Sequence, residues 1–123
     1  MCFSVKFTAP IVPVPFMRAI PTKHVVNPKR YRQFKSDLGW LAKQAMQGRE
    51  PLTGLLRLSA HFYKKYRNVG SQNYGDCDNF IKAVMDSLQG ICFENDAQII
   101  EIHGYKHFSA DPHIEVELEE LSL

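Results

Sequence analysis

Between Leu55 and Leu88 the spacing of the apolar residues changes once, and that change constrains the fold more than any other feature of the chain. From Leu55 to Tyr66 the chain alternates, with Leu56, Leu58, Ala60 and Phe62 on one face and Arg57, Ser59, His61 and Tyr63 on the other. This is the pattern of a strand with one buried face. After a polar, glycine-flanked stretch from Asn68 to Gly75, Phe80, Ile81, Val84, Met85 and Leu88 form one stripe at i, i+1, i+4, i+5 and i+8. That spacing predicts an amphipathic helix near Asp78 to Leu88, stopped at Gly90.

The flanking segments extend the pattern. Residues 3–7 alternate and predict a first strand, and prolines at 10, 13, 15 and 21 then force an extended connection. Asn27 followed by Pro28 is a credible helix start. Tyr31, Phe34, Leu38, Leu41, Ala42 and Ala45 recur at helical spacing from there to Met46, with Gly48 and Pro51 as terminators. Residues 99–108 predict a third strand and His113 to Leu118 a fourth, paired as a hairpin around Ser109–Pro112. The expected order is β-α-β-α-β-β, an α+β fold in which a mixed sheet packs against two helices. With 123 residues, 1–123 reads as a single domain.

The three cysteines make no CxxC pair and read as reduced thiols of a cytoplasmic protein. No apolar run approaches the roughly 18 residues of a membrane span. Charge is uneven along the chain. Residues 1–70 hold 13 Lys or Arg against 2 acids, and residues 71–123 hold 2 Lys against 11 acids. A basic half suits a polyanion, whose condensed counterions it releases. The alternative is that these charges are solvated faces that mix once the chain folds.

Three of the acids lie around the predicted second helix: Asp76, Asp78 and Asp96, with Lys82 among them. Three carboxylates suit a hard divalent cation such as Mg²⁺. A nearby lysine can meet a phosphate or a developing oxyanion, so the residues point to metal-assisted phosphodiester hydrolysis. Each has a plainer reading. Asp78 could cap the helix, Asp96 could be a turn residue, and Lys82 could pair with Asp78 and Asp86 at i±4. Cys77, between the first two acids, is expected to point away from their shared side. Phe80 and Ile81 exclude a calcium-binding helix–loop–helix, and the five histidines give no ligand pair.

The run Asp76-Cys77-Asp78-Asn79-Phe80-Ile81-Lys82-Ala83-Val84-Met85-Asp86-Ser87-Leu88, with Asn95-Asp96-Ala97-Gln98 after it, closely resembles the RusA family of Holliday junction resolvases. The family pattern is Asp-x-Asp-Asn-x-x-Lys-x-x-x-Asp-x-Leu, then Asp-Asp-x-Gln, then a strand lysine, here Lys106. The resemblance implies that Asp76, Asp78 and Asp96 bind Mg²⁺ or Mn²⁺ and act in catalysis together with Lys82. It implies symmetric paired nicks in a four-way DNA junction, 5′-phosphate ends, a homodimer and a bacterial, phage or prophage setting. Lys29, Arg30, Arg32 and Lys35 on the first helix, with Lys64, Lys65, Arg67 and Lys106, are the candidate DNA contacts. Asn95 departs from the family's first acid, and the basic cluster at 64–67 lies earlier than usual. Two readings stay open beside this one: a non-catalytic junction-binding module, and a nuclease for flaps and forks more broadly.

Overall fold

The computed structural model describes residues 3–16, 28–65 and 76–122. Along them run β1 (Ser4–Ala9), α1 (Pro28–Met46), β2 (Leu56–Lys64), α2 (Cys77–Leu88), a single 3₁₀ turn (Asp96–Gln98), β3 (Ile99–Phe108) and β4 (His113–Glu120). The elements and their order are those expected, an α+β unit with one mixed sheet and two helices. The expected Asn27 cap, the loop at 68–75 and Arg67 fall outside the described residues.

The sheet order is β1-β4-β2-β3. β4 pairs antiparallel with both β1 and β2, whereas β2 and β3 run parallel. The expected β3–β4 hairpin is therefore incorrect. A helix between β2 and β3 carries the chain back along the sheet, so β3 enters beside β2 in the same direction. The four residues at 109–112 then cross the end of β2, where the Ser109 amide donates to the Lys64 carbonyl at 3.1 Å. β4 returns on the far side of β2.

Alternation decides which sheet face is covered. Leu56, Leu58, Ala60 and Phe62 of β2 are fully buried, as are Ile114 and Leu118 of β4, with Val116 nearly so. They meet Phe34, Leu38, Ala42 and Met46 of α1 and Phe80, Ala83, Val84 and Leu88 of α2 in one core. Phe62 stacks on Phe80 at 5.1 Å between ring centres. α2 begins one residue earlier than expected. Asp76 keeps extended backbone (φ −81°, ψ 150°), and its carbonyl accepts from the amides of Asn79 and Phe80, which starts the helix at Cys77. Past the helix end, Gly90 takes φ +87°, where a side chain would be strained.

α2 crosses β3 at Gly104. A β-carbon there would lie 3.0 Å from Cys77 Sγ and 3.0 Å from Ile81 Cγ1, so this glycine lets the helix start lie against the strand. Gly104→Val is expected to cost about 1–3 kcal/mol through overpacking. Urea unfolding of the two proteins measures the difference.

Candidate functional site

The start of α2 lies toward the carboxyl ends of the parallel pair β2 and β3, the end where open α/β sheets place their ligands. Asp76 is exposed, is the helix N-cap, and makes no side-chain capping bond. Asp78 is exposed in the first turn and, among the described residues, accepts only the amide of Asn79, at 3.0 Å. Cys77, between them, points at the sheet, as expected from its place between two outward acids. Burial raises its thiol pKa and Asp78 raises it further, while the Lys106 charge opposes both. Lys106 of β3 therefore stands close to the helix start.

Lys82 follows one turn on. The alternative reading, in which Lys82 pairs with Asp78 and Asp86, does not hold: neither ion pair forms. Asp86 is instead held by α1: the Tyr31 hydroxyl donates to its Oδ2 at 2.8 Å, and Lys35 Nζ lies 3.0 Å from the same oxygen. The Lys82 ammonium lies 4.7 Å from the ring centre of Phe16. Phe16 is fixed in turn, its amide donating to the Asn79 carbonyl at 3.0 Å and its ring meeting Tyr31 edge-on. The side chain of Lys82 is exposed, and no carboxylate among the described residues neutralises it.

Asp96 belongs to the other end of the helix. It opens the 3₁₀ turn that follows the Gln89–Phe93 bridge. Asn95 caps that turn, accepting from the Ala97 amide at 2.8 Å, while Gln98 Oε1 accepts from the amides of Glu94 and Asn95. Gln98 Nε2 ties the turn to the carbonyls of Leu52 and Gly54. Asn and Asp cap about equally well, so Asn95 does here what the family's acid could do. Asp96 is exposed; its carbonyl accepts from the Ile99 amide, and its carboxylate has no bonding partner among the described residues.

One open cleft of about 520 Å³ joins Lys82 to Asp78 and Asp96, and Asp76 stands outside its lining. Asp78, Lys82, Asp86, Gln89 and Asp96 line it, with Phe16, Ile81, Met85 and Ile102 as its apolar wall. Asp78 and Gln89 are separated by about 16 Å along the helix axis. The three predicted carboxylates do not converge as a single cluster: among the described residues no three His, Cys, Asp or Glu side chains are grouped to hold a metal. Asp76 and Asp78 alone still fit Mg²⁺, which binds through one or two carboxylates and keeps several waters. Phe16, Gln89 and Ile102 were not singled out by the sequence, which placed Met85 only in the apolar stripe of the helix. Only the proline-fixed extended arm before Phe16 hinted at a role for that segment.

The predicted DNA contacts divide. Lys29, Arg30 and Arg32 are exposed on α1, and Lys65 is exposed just after β2. Lys35 is engaged with Asp86. Burial, with the Arg30 charge adding to it, lowers the Lys64 pKa, and Lys64 Nζ lies 5.9 Å from the Phe80 ring centre. The sheet face away from the helices has the opposite character. Arg57 there is bonded to Glu101 and Glu119, and Glu115 and Glu117 stand beside them. His61, Tyr63, Tyr105, His107 and His113 stack as a ladder, with His61 Nδ1 and His107 Nε2 hydrogen-bonded at 2.7 Å. Those glutamates make it a poor face for a polyanion, and the exposed cations of α1 lie on the other side.

The family model described as "Endodeoxyribonuclease RusA" matches residues 10–119. A segment of 47 residues, 38% of this chain, is 34% identical to "Uncharacterized protein YqaN" of Bacillus subtilis (strain 168). That segment is 33% of the Bacillus protein's length.

The Tyr31 phenol is held well above its usual pKa, first by burial and then by its bond to Asp86. A phenol raised in the folded state stabilises the protein below the unfolded value, about 10, and that contribution fades as pH climbs beyond it. Tyr31→Phe is expected to cost about 0.5–1.5 kcal/mol at neutral pH, with the gap to the unsubstituted protein narrowing above pH 10. Denaturant unfolding across that range checks it.

Proposed function

We propose, because this chain belongs to the RusA family of endodeoxyribonucleases, that it is a divalent-metal-dependent nuclease that resolves four-way DNA junctions by paired symmetric nicks. The observation that carries the reading is the cleft on α2, where Asp78, Asp96 and Lys82 share one wall and no carboxylate among the described residues neutralises the lysine. Asp76 and Asp78 would hold the cation, and Asp96 faces the same cleft from beyond Gln89. When bound, the cation would supply Lewis-acid charge at the scissile phosphate.

The remaining work falls to the chain's own groups. Lys82, backed by the Phe16 ring, presents its ammonium to a non-bridging phosphate oxygen and offsets the charge that grows there in the transition state. Phe16, Ile81, Met85 and Ile102 exclude water from one side of the cleft and so strengthen that interaction. Lys29, Arg32 and Lys65 hold the DNA backbone without reading its sequence. Cleavage leaves 5′-phosphate and 3′-hydroxyl ends. Two cuts related by a two-fold axis call for a C2 homodimer, each protomer supplying one cleft. The setting is recombination or repair in a bacterium or its phage.

The test is cleavage of a labelled synthetic junction in Mg²⁺. Paired symmetric nicks that a ligase can seal are expected, absent from matched linear duplex. Asp76→Asn and Lys82→Ala are each expected to lower the rate at least about a hundredfold while junction binding persists. Binding with no cleavage in Mg²⁺ or Mn²⁺ would identify a junction-binding module instead, and equal cutting of flaps and forks would broaden the substrate. Junction affinity is expected to fall steeply with salt, and Arg32→Gln to reduce the log–log slope by about one. Fluorescence anisotropy at several salt concentrations measures both.

A further inference from the structure

A second cleft, of about 510 Å³, opens at the far end of α1. Its wall carries Trp40, the chain's single tryptophan, 61% exposed although tryptophan is among the costliest side chains to leave in water. Lys43 and Arg49 share the cleft, and no acid lines it; Glu50, next to Arg49, is not part of the lining. Arg49 is fixed by the Phe3 ring, with its guanidinium carbon 3.6 Å from the ring centre. The cleft adjoins the candidate active site, because Gln89 lines one and Gly90 the other.

We propose that this cleft binds an unstacked nucleotide of single-stranded or branched DNA, with its base against Trp40 and its phosphates at Lys43 and Arg49. An indole face takes any base, and two cations beside it, Arg49 fixed on the Phe3 ring, suit the phosphates on either side. Inside a duplex both faces of a base are covered, so a free face flanked by phosphates on both sides is found only in a single strand or at a branch point. An acidic peptide would satisfy the cations and leave the indole exposed. The Gln89–Gly90 turn lets a strand whose phosphate lies by Lys82 continue into the second cleft. The inference takes its ligand class from the nuclease reading but needs no cleavage.

The test uses the intact chain in EDTA, so a failure of catalysis cannot be mistaken for a failure of this site. An oligothymidylate of about eight nucleotides is titrated while Trp40 emission is followed, and a fluorescein-labelled copy reports binding by anisotropy. Saturable quenching that tracks the anisotropy is expected, with a four-way junction quenching and a blunt duplex not. Half-saturation is expected to shift about tenfold for Trp40→Leu and to be largely restored by Trp40→Tyr. Lys43→Gln with Arg49→Gln is expected to weaken quenching by a similar factor. Anisotropy that saturates while the emission stays constant would place the DNA elsewhere and overturn the proposal. So would a polyglutamate that quenches as well as the oligonucleotide, which would assign the cleft to an acidic protein partner.

Discussion

Asp86 is the residue on which the geometry of the candidate site turns. It lies one helical turn beyond Lys82, where an acid and a lysine on a free helix would pair. Here α1 takes it first, through Tyr31 and Lys35. With both ionic side chains about a third exposed, the ion pair itself contributes about 0–1 kcal/mol, so its effect is positional more than energetic. It fastens the first turns of α1 to α2 and leaves the Lys82 ammonium against an aromatic ring with its charge uncompensated by any described carboxylate. A cation in that condition is what a developing phosphate charge needs.

The rest of the site follows from the parallel crossover. Because β2 and β3 run the same way, α2 runs back between them and its first turn comes to the carboxyl ends of both strands. Gly104 lets Cys77 turn inward at that turn, which leaves Asp76 and Asp78 outward. The same crossover sends Asp96 to the opposite end of the helix. The result is a cleft with carboxylates toward both ends and Lys82 between them, a shape suited to a strand lying along it. Continuation past Gln89 into the Trp40 cleft fits that shape.

Much of this was legible in the residues because the buried faces are periodic. The alternation at 56–62 and the stripe at 80–88 gave β2 and α2 within one or two residues, and the acid motif marked the helix end at which the proposed chemistry is placed. Strand order was not legible. A four-residue connector after β3 suits a hairpin as well as a passage across the end of β2, and only packing of the intervening helix decides between them. Nor were the partners of Lys82 and Asp86 readable. Local spacing favours the pair on one helix, and a tertiary contact from Tyr31, 55 positions away, overrides it. Phe16 carried no signal of its own, because its place over Lys82 depends on where an aperiodic arm settles. Asn95 looked like a loss, and its capping bond to Ala97 shows a role that an amide oxygen fills as well as a carboxylate does.

The claim at the centre of this account is that Lys82 can act because α1 occupies Asp86. Single-turnover junction cleavage by the Tyr31→Phe, Lys35→Met double variant tests it, compared with the same protein also carrying Asp86→Asn. The double variant should cleave more slowly at saturating protein, since Asp86 is then released to pair with Lys82, and Asp86→Asn should return most of the rate. Cleavage unchanged in the double variant, or a loss that Asp86→Asn fails to repair, would contradict the account.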